Sequence, residues 1–131
     1  DRLRERYGAR TGARIVPLVA LPLAGVFLYV TVSVSSPYWA IAALCLGFAC
    51  VEFNEGNYWG VAMRLAPNDS MAATAVLNMG GNLGGVIGTW LIASLTAAQG
   101  GWSTVFMTGA VTSVAAALLW LTVDAGRGER K

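Results

Sequence analysis

The sequence contains no histidine, and only 12% of its 131 residues are charged, about half the share a soluble domain carries. With Cys45 and Cys50 as the only thiols, no donor set for a zinc site remains, and no Cys/His or Ser/His pair is available for nucleophilic catalysis. An intramembrane enzyme is therefore disfavoured, and neither a cofactor nor a metal is expected. The two cysteines stand five apart in one apolar segment and are expected to be buried, reduced packing residues rather than a disulfide. No Asp, Glu, Lys or Arg occurs from Ile15 to Val51 or from Ser70 to Val123. A soluble helix needs charge on its outer face, so uncharged stretches of this length point to lipid as the solvent. A basic patch with interleaved aromatics is also missing, which argues against nucleic acid as a partner. The chain opens on Asp1 and a charged stretch with no apolar h-region. That is not a signal peptide, and it reads as an internal starting point, the expectation being a fragment of a longer protein.

What the sequence does contain is apolar helix, with 56% hydrophobic residues and a mean hydropathy of +0.58. Crossing a hydrocarbon core of ~30 Å takes about 20 apolar residues, and four segments meet that length, at about 15–34, 38–63, 70–97 and 102–123. Pro17 and Pro22 fall in the first, where neighbours must satisfy the carbonyls they release. Ser35-Ser36-Pro37 and Gln99-Gly100-Gly101 read as turns. The predicted fold class is an all-α membrane protein of four antiparallel helices, with a basic loop over 1–14 and a tail over 124–131.

The basic residues orient these spans. Arg2, Arg4, Arg6, Arg10 and Arg14 precede the first, Arg64 separates the second from the third, and Arg127, Arg130 and Lys131 follow the fourth. All of them fall on one side, which the positive-inside rule places in the cytoplasm, so both ends of the segment are expected there. Tyr38, Trp39 and Trp102 occupy the opposite interface, where aromatic belts form.

Polarity separates the spans. The first and fourth carry only Ser and Thr, which bond back to their own helix, so both can face the lipid bilayer. The second carries Glu52, Asn54, Glu55, Asn57, Tyr58 and Trp59. Glu52 and Glu55 are three apart and share a face. A carboxylate at mid-bilayer costs at least ~2.5–3.5 kcal/mol, so it must meet water, a partner or a substrate. The pair reads either as the wall of a cavity with a proton-carrying group or as the ionic partner of a basic residue on another helix. The third span holds Gly80, Gly81, Gly84, Gly85 and Gly88, in stripes at the small-xxx-small period that admits a close helix neighbour. It is not a phosphate loop, since the spacing is wrong and no strand precedes it. Asn78 and Asn82 share a face and need partners, either on a neighbouring helix or in a cavity. Four helices cannot fully supply these polar faces, which is the physical case for a missing half.

Several of these residues also resemble a known family. Asp1-Arg2-Leu3-Arg4 is similar to the loop between helices eight and nine of major facilitator transporters. Glu55-Gly56-Asn57-Tyr58-Trp59-Gly60 resembles a helix-ten segment of the anion:cation symporter branch. Leu65-Ala66-Pro67, Ala72 to Ala75 and the run Asn78-Met79-Gly80-Gly81-Asn82-Leu83-Gly84-Gly85 resemble its A-P loop and helix eleven, and Trp102 and Leu118-Leu119-Trp120 fit helix twelve. The resemblance implies helices nine to twelve of a 12-helix fold, with helix ten lining the cavity, eleven flanking it, and nine and twelve outside.

It further implies secondary transport of a small organic anion, a sugar acid or aromatic carboxylate, with H+ as co-substrate in the bacterial inner membrane. The partner would be the missing N-terminal eight helices of the same chain. Tyr58 and Trp59 are the leading candidates for substrate contact, followed by Asn78, Asn82 and Glu55, with Glu55 and Glu52 as candidates for proton coupling. Asn57 departs from the small or proline residue expected at its position. The alternative is a self-contained four-helix membrane protein, either a dimeric multidrug exporter whose glutamates bind cations or a scaffold.

Overall fold

The computed structural model describes residues 2–97 and 101–124. They form four α-helices, α1 (Arg2–Ser33), α2 (Pro37–Leu65), α3 (Ser70–Leu95) and α4 (Gly101–Leu119), and a 3-10 turn over Trp120–Thr122 closes α4. Strand is absent among the described residues. The lengths able to cross a membrane are Arg10–Ser33, Pro37–Leu65, Ser70–Leu95 and Gly101–Thr122, close to the predicted spans. The first begins earlier because helix continues through the basic residues. The stretch read as a loop over 1–14 is helical from Arg2, with a break at Gly8, where φ 81 and ψ 161 suit a residue without a side chain. Gln99-Gly100 and the tail beyond Asp124 lie outside the described residues.

Local chemistry accounts for the start of α2. Ser36 is extended at the N-cap and Pro37 takes the first turn, where its missing N–H costs nothing. The hydroxyls behave as predicted. Thr31 donates to the Phe27 carbonyl at 2.8 Å, Thr108 to Thr104 at 2.8 Å, Thr112 to Thr108 at 2.8 Å and Ser113 to Gly109 at 2.9 Å. Each polar group is thus satisfied within its own helix.

Packing centres on α1, which lies along both α2 and α4, while α3 leans on α2 and only grazes α4. The core gathers Ala13 and Leu21 of α1, Val61 of α2, and Ala117 and Trp120 at the end of α4. Small residues set the approach of the backbones, because in lipid helices associate through close packing. A Cβ on Gly25 would stand 3.0 Å from the Ala110 carbonyl oxygen, one on Gly47 3.3 Å from Phe27 Cβ, and one on Gly109 3.3 Å from Leu28 Cδ1. The glycines that bring helices together here are thus Gly25, Gly47 and Gly109. The ends of α1 and α4 are also tied together by Arg14, whose Nε donates to the Val123 carbonyl at 2.8 Å and whose Nη2 donates to the same oxygen.

Both cysteines are free, but Cys45 is exposed and Cys50 half-buried. The expectation of burial therefore fails for Cys45. Its face of α2 points away from α1, and apolarity alone does not distinguish a helix-facing position from a lipid-facing one.

Candidate functional site

A groove of about 710 Å³ runs between α2 and α3, lined by Val51, Glu52, Glu55, Tyr58 and Trp59 on one side and by Val76, Leu77, Asn78, Gly80, Gly81 and Asn82 on the other. Every residue predicted to contact substrate or to carry a proton, from Glu52 to Asn82, borders this one space. The second span contributes them at positions 51, 52, 55, 58 and 59, the three- and four-residue steps of one helix face. Among the described lining residues there is no arginine or lysine.

Within the groove, Trp59 Nε1 donates to Glu55 Oε1 at 3.3 Å, one turn back on the same helix. This bond links the indole to the Glu55 carboxylate on the groove side of α2. Tyr58 is half-buried, its ring 5.3 Å from that of Trp120 with the planes tilted by 30°. It joins the groove wall to the hydrophobic core, so one face of Tyr58 is structural. On α3, Asn82 Nδ2 donates to the Asn78 main-chain carbonyl at 2.9 Å, and both asparagines line the groove. Glu52 and Glu55 are exposed.

The glycine run divides. Gly80 and Gly81 line the groove, whereas Gly88 borders a separate apolar space of about 470 Å³ with Leu21, Phe106 and Thr108. A Cβ on any of Gly80, Gly81, Gly84, Gly85 or Gly88 would meet nothing within 4 Å, and α3 has no buried residue. None of the other three helices packs on the stripe.

Two asparagines of α2, to which the sequence assigns no role, pack against α1 or lie buried. Asn57 turns away from the groove, its Nδ2 donating to the Ala13 carbonyl of α1 at 2.9 Å. Pro17, four residues after Ala13, has no N–H to give that carbonyl, so Asn57 replaces the lost helical donor. Asn57→Leu is expected to destabilise the protein by about 1–3 kcal/mol, the cost of a buried carbonyl without a donor. The loss should shrink in a Pro17→Ala background, where the helix restores its own bond; thermal melting of the single and double variants measures this. Asn54 is completely buried, with neither amide atom bonded to another protein group. The signal for both asparagines was the proline spacing read together with the α2 face at 47, 54 and 61.

The described residues form four membrane-length helices with an apolar exterior and a polar groove between two of them, the make-up of a membrane transport domain. A family model for the Major Facilitator Superfamily matches residues 2–131, and the chain belongs to that superfamily, whose members are transporters rather than enzymes. Neither the curated proteins nor the solved structures yield a match to the chain.

Proposed function

We propose that this chain is the C-terminal part of a secondary transporter of the anion:cation symporter branch, which moves a small organic anion together with H+ by alternating access. The observation that carries this reading is the α2–α3 groove, where aromatic, amide and carboxyl side chains converge. Trp59 and Tyr58 offer flat apolar surface to a sugar ring or an aromatic ring. Asn78 and Asn82 offer amide donors to hydroxyl and carboxylate oxygens. Glu55 and Glu52 carry the proton.

Charge links the two substrates. An anion beside two carboxylates is repelled, and a proton on the pair halves their charge and lowers that repulsion. Anion entry thus favours proton uptake, and the reverse holds by linkage. The unpacked glycine face of α3 is the seat of the other eight helices, and the rim where α1 starts, α2 ends and α4 ends faces the cytoplasm of a bacterial inner membrane.

A thermal-shift screen of the complete protein against sugar acids and aromatic carboxylates tests the reading. An acid of one class is expected to raise the melting temperature, and Trp59→Ala to remove that rise while leaving the ligand-free melt close to wild type. Stabilisation by organic cations alone would favour the small-exporter alternative.

A further inference from the structure

The seam between α1 and α2 carries more polar groups than its packing uses. Asn54 and Pro17 are the two largest fully buried side chains in the protein. The helices run antiparallel with a register fixed at two points. Asn57 bonds the carbonyl of Ala13, and Gly47 sits against Ala24 and Phe27. Asn54 lies between these points, at the level of Pro17. Two carbonyls of α1 near this level have lost their helical donors, that of Ala13 to Pro17 and that of Leu18 to Pro22. Asn57 serves the first, while Asn54 presents two donors and an acceptor that no protein group engages. A buried amide in that position is a strong binding element, because an unpaired polar group in an apolar interior is costly. Asn54 is fully buried within these helices.

We propose that Asn54 anchors an internal water, which bridges its amide to the Leu18 carbonyl that Pro22 releases. Water fits the chemistry: it is small enough for an enclosed seam, donates to carbonyl oxygens, accepts from the amide, and meets the two to four polar partners a buried water needs. The amide carries no charge, which argues against an ion as the occupant. With Asn57, the water would give α1 and α2 a polar seam in lipid surroundings. This proposal is independent of the groove and of the solute it takes.

Synchrotron hydroxyl-radical footprinting of the complete protein tests it, because a bound water generates radicals inside the fold. Pro17 is fully buried and out of reach of radicals from bulk solvent. In wild type, Pro17 is expected to be oxidised, and Asn54→Leu, of similar shape but apolar, to bring that oxidation to background. Asn54→Ser, which keeps a hydroxyl and leaves room, should retain it, so the comparison survives even if the leucine variant misfolds. An unmodified Pro17 in wild type would overturn the proposal, as would equal modification in wild type and in an Asn54→Leu variant whose melting curve matches wild type.

Discussion

Replacing both Glu52 and Glu55 by glutamine is expected to cut pH-gradient-driven accumulation of the transported acid at least tenfold, about 1.4 kcal/mol of lost coupling. Passive exchange of the acid across the membrane should persist. Glutamine keeps the shape of each side chain and the acceptor that the Trp59 indole uses at Glu55. It removes only the capacity to take up a proton. Neutral amides, unlike carboxylates, do not repel an anion. Proteoliposome uptake with and without an imposed pH gradient separates the two quantities, and the single variants then say which carboxyl titrates. Undiminished gradient-driven accumulation in the double variant would assign the proton to a group outside the groove.

The second large effect concerns stability rather than transport. Gly25→Leu is expected to destabilise the protein by about 1–3 kcal/mol or more, the range for overpacking a close contact. A Cβ at Gly25 already stands 3.0 Å from a backbone oxygen of α4, an atom that cannot rotate aside, so a full side chain must push α1 and α4 apart. The contact lies along the helix pair that Arg14 ties at its end, so the disturbance should reach the Val123 clamp. Gly85→Leu is the informative contrast, because nothing within 4 Å opposes a Cβ there. In the complete protein, a comparable loss at Gly85 would show that a helix outside these four packs on the stripe. A neutral result at Gly85 would leave that face to lipid. Melting curves of the two variants in the same detergent provide the comparison.

The main outline was legible because the bilayer imposes strong rules on sequence. Uncharged stretches gave the spans to within a few residues at most ends. Glu52, Glu55, Asn78 and Asn82 stand out in the sequence because they are costly in lipid, and all four line the groove between α2 and α3. Packing was harder to read. The glycine run of α3 promised close helix contact, yet the close contacts among these helices form at the isolated glycines Gly25, Gly47 and Gly109. A glycine permits an approach, but the opposing surface decides whether it occurs, and sequence periodicity on one helix says nothing about that surface. The first span likewise looked like an outer helix, and it is the one on which α2 and α4 converge. Its Ala13, Ala20 and Ala24 are buried, and alanines carry no polarity signal to separate a packed face from a lipid face. Asn57 illustrates a third limit. Its role depends on Pro17 in another helix, a pairing that becomes visible only once the register between α1 and α2 is known.

The most direct test of proton-coupled anion transport through the α2–α3 groove is accumulation of radiolabelled sugar acids and aromatic carboxylates by proteoliposomes holding the complete protein under an inward proton gradient. The expected result is concentration of one acid above its external level, abolished when the gradient is collapsed and strongly reduced by Trp59→Ala. Failure of every acid to accumulate, or gradient-driven movement of an organic cation in their place, would contradict it.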